Sequence, residues 1–227
     1  MTRLALVLLT LSVAIGCRSL DSEKTGGLPM TSNTALLVLD LQKDFCHPSG
    51  KMHGLVKGEL DRQNLVEANL TLIRSAAEQN HATFVCPILF DYSQTPARAP
   101  EGIAAPIVTH RAFGRGEFGG ELIDDLDAYS GSFTRLEKPS LSAFSGTDLH
   151  ERLRGAGVTQ VVISGLLTNL CVESTARDAF DLGYQVRVVR DATATFDPHQ
   201  QKYAVENIFP LLGKTITVAE FQSGVAN

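Results

Sequence analysis

Residues 159–167, TQVVISGLL, are apolar or small at almost every position and never alternate with charged residues. A strand wetted on one face alternates polar and apolar side chains. An unbroken run must be covered on both faces, as strands of a parallel sheet are. Comparable runs open ALLVLDLQ (35–42) and ATFVCPILF (82–90), and FTRLEKP (133–139), YQVRVVRDA (184–192) and KTITVAEF (214–221) read as three further strands. Helical spacing fills the intervals. Val66, Leu70, Ile73 and Ala77 share one face, as do Val172, Ala176, Ala179 and Phe180 before a stop at Gly183. A short helix is expected around Leu122, Ile123 and Leu126. Thr147 is placed to cap DLHERLR, which runs to Gly155, and Asp197-Pro198, with Gln200 three residues on, opens a last helix. Strands joined by crossover helices predict a three-layer, Rossmann-like α/β domain with six parallel strands and helices on both faces.

The first residues follow another pattern. Arg3 precedes LALVLLTLSVAIG, an apolar run too short to span a bilayer as a mature helix and typical of a secretory signal. It ends Ala14-Ile15-Gly16-Cys17, which resembles the lipobox of bacterial lipoproteins, with Ala14 where Leu is usual. This implies a lipoprotein-type signal peptide over 1–17, a lipid on Cys17, a polar tether over 18–33 and a folded domain over 34–227, with an ordinary secretory signal cut nearby as the alternative. The expected location is the cell envelope, facing periplasm or exterior, with membrane contact through the lipid alone.

Apolar residues make up 44% of the chain and charged residues 20%, with a net charge of -5 and no Lys/Arg cluster to track a phosphate backbone. Disorder, coiled coil and nucleic-acid binding are excluded. Of the four cysteines, Cys17 is assigned to lipid; Cys46 and Cys86 are read as buried thiols, with a disulfide between them as the alternative.

Open parallel sheets bind ligands at the carboxyl ends of their strands. Reactive residues stand there: Asp40 after the first strand, Lys138 after the third, Cys171 after the fourth. Helix N-termini and nearby cations lower a thiol pKa, and Cys171 is expected to gain from both, with Lys138 as the cation. Asp40 takes the thiol proton, and backbone N–H groups of the turn into the helix hold an oxyanion. That set suits acyl transfer from an amide. A thiol redox sensor and a catalytically silent, lipid-tethered binding protein are the readings from other classes.

The segments LLVLDLQKDF and LEKPSLSAFSGTDLHERLRGAGVTQVVISGLLTNLCVESTARDAFDLGYQVRVVRDATAT resemble the isochorismatase-like cysteine hydrolases, a superfamily that includes nicotinamidases, N-carbamoylsarcosine amidohydrolases and biuret hydrolases. The resemblance implies strand order 3-2-1-4-5-6, a catalytic set of Asp40, Lys138 and Cys171, a cis peptide at Leu166–Leu167, and oxyanion donors at the N–H groups of Leu167 and Cys171. Family members that cleave a vinyl ether lack the cysteine, so Cys171 implies C–N hydrolysis. A nicotinamidase metal motif, Asp-x-His, would fall on Asp91-Tyr92-Ser93, where Ser stands for His. The expected enzyme is a metal- and cofactor-free hydrolase of a small carbamoyl- or ureido-type amide, working through a thioester and assembling as a homo-oligomer. Nicotinamidase-like and isochorismatase-like activities are the alternatives. Phe45, Tyr92, Arg111 and Phe113 are the candidate pocket residues, the last three in or beside a long loop over 91–120.

Overall fold

The computed structural model describes residues 32–93 and 101–224. Six strands form one sheet: β1 (Thr34–Leu39), β2 (Ala82–Cys86), β3 (Thr134–Arg135), β4 (Gln160–Leu166), β5 (Gln185–Ala194) and β6 (Gly213–Ile216), in the order β3-β2-β1-β4-β5-β6. Every pairing is parallel. The expected fold class and strand order are both observed.

Nine α-helical segments lie among the described residues: α1 (Lys43–Cys46), α2 (His53–Gln63), α3 (Leu65–Glu78), α4 (Ala104–Thr109), α5 (Leu149–Gly155), α6 (Glu173–Asp181), α7 (Pro198–Tyr203), α8 (Phe209–Leu212) and α9 (Val218–Gln222). All residues of β1 and β4 are buried, as unbroken apolar runs require. Their side chains alternate between two cores. Leu36 and Val38 join Leu60, Ile73 and Phe221 from α2, α3 and α9. Ala35, Leu37 and Leu39 join Leu153, Ala176 and Phe209 from α5, α6 and α8.

Several boundaries differ from expectation, each for a local reason. β2 stops at Cys86 because Pro87 has no N–H for the ladder. The third strand shrinks to Thr134–Arg135 at the sheet edge, although Leu136 and Lys138 still donate to the carbonyls of Val85 and Pro87 at 2.9 and 3.0 Å. The 91–120 loop contains α4 and a 3-10 turn at Phe118–Gly120, and the helix around Leu126 is the 3-10 segment Asp124–Tyr129. The second half of KTITVAEF is α9, so the Asp197-Pro198 helix is not the last. Thr217 and Glu220 close a capping box there. Asp197 does cap α7, through His199 N and Gln200 N, but the Gln200 side chain turns instead to Asn169. α5 starts after Asp148, while the Thr147 hydroxyl accepts from Leu149 N at 3.3 Å. Phe180 is half exposed and lies off the buried face of α6. Cys46 and Cys86 are unpaired.

The start of β1 is anchored to its neighbours. Ser32 Oγ lies 2.6 Å from His81 Nδ1, and the Asn33 carbonyl accepts from Thr159 N and Gln160 N at 2.8 and 3.1 Å. Residues 32 and 33, expected at the end of a tether, are therefore part of the domain. Cys17 lies outside the described residues.

Candidate active site

Asp40, Lys138 and Cys171 converge at the carboxyl edge of the sheet. Asp40 follows β1 with φ +56°, a left-handed conformation that Asp tolerates better than most residues. Its side chain is fully buried, and its two oxygens have separate partners. Ile88 N–H donates to Oδ1 at 2.8 Å, and Lys138 Nζ donates to Oδ2 at 3.0 Å. Lys138, 1% exposed, also donates to the Ser140 carbonyl at 3.1 Å. Strand spacing puts β3 about 10 Å from β1. The lysine stem bridges that gap by passing over the exit of β2, where Ile88 pairs with Lys138 in parallel register.

Cys171 sits in a π-helical turn, Thr168–Val172, between β4 and α6. Two features shape its approach. The Leu166–Leu167 peptide is cis, as the resemblance implied. Gly165, φ +102°, lies so close to β1 that a Cβ would stand 2.1 Å from the Leu39 carbonyl oxygen, so only glycine lets β4 lie this close to β1 here. Polar side chains tie the turn down. Thr168 donates to Gln201 Oε1 at 2.5 Å, and Gln201 Nε2 reaches the carbonyl and hydroxyl of Thr193 at 3.2 and 3.1 Å. Asn169 donates to Gln200 Oε1 at 3.0 Å and accepts from the Thr195 hydroxyl. Thr193 lies past a bulge in which Ile163 and Gly165 of β4 pair with Val188 and Thr193 of β5.

The electrostatics differ from the sequence reading. A lowered thiol pKa was expected from the helix terminus and Lys138. Instead, burial pushes the Cys171 thiol up to about 12, and the adjacent Asp40 charge adds to it, against a smaller opposing pull from Lys138. Burial also raises the Asp40 pKa, opposed by Lys138 and by hydrogen bonds from Cys171, Lys138 and Ile88. Lys138 pays a desolvation cost, but Asp40 and Cys171 hold its pKa above the ordinary value. Burial thus opposes the charged forms of the thiol and the carboxylate, and the Lys138 contact opposes burial at both.

The four pocket candidates form a cluster of their own. Phe45 and Phe113, both buried, pack with ring centroids 4.7 Å apart. Tyr92 donates its hydroxyl to the Ala112 carbonyl at 2.7 Å, with the Ile107 carbonyl at 3.1 Å, and the Arg111 guanidinium covers its ring at 4.8 Å. Ser93 closes a turn onto Asp91 Oδ1 through its N–H and hydroxyl, at 2.9 and 2.6 Å. No group of three or more metal-ligating side chains occurs among the described residues. Sequence reasoning passed over Gln42, Thr168 and Gln201, and read Gln200 only as a partner of the Asp197 cap. Gln42 had a signal: like Asp40, it interrupts an apolar run, two residues on.

Known proteins resemble this chain in sequence and in fold. Ureidoacrylate amidohydrolase RutB from Caulobacter vibrioides is 30% identical over 203 residues, covering 83% of this chain and 89% of that protein. Nicotinamidase 3 from Arabidopsis thaliana is 29% identical over 181 residues, covering 79% and 82%. The crystal structure of a cysteine hydrolase from Pseudomonas syringae pv. phaseolicola superposes with a TM-score of 0.73 at 27% identity, covering 86% of this chain and 94% of that one. The model of the Isochorismatase domain matches residues 34–220, and the chain belongs to that family.

Proposed function

We propose that this protein is a cysteine-dependent amidohydrolase that cleaves a small, non-peptide amide of the carbamoyl or ureido type. The observation that carries the reading is the buried Lys138–Asp40 contact of 3.0 Å, with the buried Cys171 thiol near enough for both charges to act on it. Similarity to an enzyme named as an amidohydrolase of ureidoacrylate supports the substrate class.

In this mechanism the thiol proton passes from Sγ to Asp40 as Sγ attacks the substrate carbonyl carbon. The transfer turns carboxylate, ammonium and thiol into carboxylic acid, ammonium and thiolate. Net charge is zero before and after, so a water-poor site never holds an unbalanced charge. The carbonyl oxygen becomes an oxyanion, held by the N–H groups of Leu167 and Cys171. Asp40 then gives its proton to the leaving nitrogen, the C–N bond breaks, and ammonia or an amine departs from a thioester. Water, deprotonated by Asp40, attacks the thioester carbonyl. The C–S bond breaks and the thiol recovers its proton. A raised Asp40 pKa suits a group that must both accept and return a proton.

The same reading places the enzyme in the cell envelope on a Cys17 lipid and in a homo-oligomer; the apolar run before Cys17 supports the anchor. Intact mass of the membrane fraction tests it. The activity is tested by ammonia release from carbamoyl, ureido and simple amide compounds. Wild type is expected to release ammonia and Cys171→Ala to release none, with an unchanged fold. A fully active Cys171→Ala overturns the reading.

A further inference from the structure

We propose that Gln42 is a positioning residue that assembles the Asp40–Lys138 pair by holding the exit of β2. The inference rests on the reading of the Asp40, Lys138 and Cys171 site above.

Backbone pairing between β1 and β2 ends at Pro87, which has no N–H to offer. Beyond it, side chains of two residues that follow β1 take over the ladder. Ile88 N–H is shared between Asp40 Oδ1 at 2.8 Å and Gln42 Oε1 at 2.9 Å. Gln42 Nε2 returns a bond to the Ile88 carbonyl at 2.9 Å and another to the Gly120 carbonyl at 3.0 Å. The Gln42 amide therefore grips both polar groups of one peptide residue, as a neighbouring strand would. It is fully buried, and both amide hydrogens and the amide oxygen are used.

What Ile88 holds makes this grip matter. The residues on either side of it fix the Lys138 backbone. Lys138 N donates to the Pro87 carbonyl and Leu89 N donates to the Lys138 carbonyl, each at 3.0 Å. Lys138 Nζ then closes the circuit on Asp40 Oδ2. Asp40, Ile88 and Lys138 form one ring of contacts, and Gln42 anchors its middle member to β1 and to the 118–120 turn. Asp40 and Gln42 reach the same neighbour from a tight turn in which Gln42 N donates to the Asp40 carbonyl at 2.8 Å and Asp40 holds its left-handed φ.

Without Gln42 the Pro87–Leu89 segment loses two buried hydrogen bonds and the Gly120 carbonyl a third, and the Lys138 backbone moves with the segment. The cation then serves Asp40 and the Cys171 sulfur less well, and the thiolate is less populated. A purely structural glutamine would cost stability but leave the thiol unaffected.

The experiment measures iodoacetamide alkylation of Cys171 in the full chain near neutral pH, read from the mass of the peptide that holds it. The variants are Gln42→Met, which keeps the length without the bonds, and Gln42→Asn, which keeps the amide one carbon short. Gln160→Met is the control, a buried glutamine at the opposite end of the sheet that donates to Thr34. Alkylation is expected to slow about tenfold in both Gln42 variants, the factor that one unit of thiol pKa is worth, and to stay at the wild-type rate in Gln160→Met. If Gln42→Met does not fold, Gln42→Asn carries the test. Folded Gln42 variants alkylated within about twofold of wild type overturn the proposal, as does equal slowing in Gln160→Met. Ammonia release by Cys171→Ala separates the two claims. A fully active Cys171→Ala with slowed Gln42 variants removes the amidohydrolase and leaves the positioning intact. An inactive Cys171→Ala with unaffected Gln42 variants does the reverse.

Discussion

Glu137 and Lys138 are adjacent in the chain and inhabit opposite electrostatic worlds. Glu137 faces solvent in a network with Arg115 and Arg135, and Arg135 continues to Glu121 at 3.5 Å. Those side chains are 35–56% exposed. Lys138 points the other way, and neither its side chain nor that of its partner Asp40 meets solvent at all. Water screens the first set, so its members are nearly interchangeable with their hydrated forms. The second set has no water to fall back on, and losing either partner strands the other. On the proposed mechanism such a pair serves a neighbour, here the thiol, more than it serves stability.

The largest effect expected from disturbing the buried side is on rate. Asp40→Asn keeps the acceptor for Ile88 N–H but cannot take the thiol proton. Turnover is expected to fall by about 10²–10⁴, measured as kcat with the substrate found in the ammonia screen. A smaller loss makes Asp40 an electrostatic partner only.

Lys138→Met is next. Removing one member of a buried pair costs about 3–5 kcal/mol, measured by urea unfolding at neutral pH. The cost should shrink as pH falls, because Asp40, already raised, takes a proton and no longer needs a cation. Replacing both members, Asp40→Leu with Lys138→Met, is expected to restore stability while activity stays lost. If the double variant is as unstable as the single, the pair is itself stabilising and the contrast with Glu137 weakens.

Three thiols, Cys86 and Cys171 buried and Cys46 half-buried, bear on the alkaline limit. Burial pushes Cys46, Cys86 and Cys171 each from 9.0 to about 12. An unfolded chain releases these protons above pH 9.0 while the folded chain keeps them, so stability is intact below that pH and falls as pH rises toward 12. Each thiol contributes up to about 1.4 kcal/mol per pH unit in that window. Cys86→Ala should flatten the fall, measured by denaturant midpoint against pH.

The smallest effect belongs to the exposed side. Arg115→Ala should cost less than about 1 kcal/mol, and the difference from wild type should disappear in molar salt. A larger, salt-resistant loss would show that the outer network is structural and erase the contrast.

Much of the centre of the molecule was legible because burial on both faces leaves unbroken apolar runs. β1, β4 and the bulk of β5 were read that way, and Asp40, Lys138 and Cys171 stood out as reactive groups at strand ends. The edges were less legible. β3 and β6 have one neighbour each, so their lengths depend on pairing rather than pattern, and Thr217–Glu220 capping converts the tail of a strand-like run into α9. The thiol's protonation was misjudged because a helix terminus and a lysine are visible in sequence, whereas the desolvation that outweighs them is a property of the packed site. Gln201 was missed since a lone glutamine carries no spacing signal until its partners' backbones are placed, and Gln42, two residues after Asp40, was visible but had no partner to point to its role.

The anchored start of β1 also sets an orientation. Ser32 and Asn33 are held at the amino edge of the sheet, while Asp40 and Cys171 lie past its carboxyl edge. The six residues of β1 put about 20 Å between the two edges. Whatever joins the domain ahead of Ser32 leaves from the side opposite the nucleophile. On the proposed lipid anchor, the enzyme would turn its back to the bilayer and its site toward solution. Its substrates would then arrive by diffusion from the aqueous side, with no need to pass between protein and membrane.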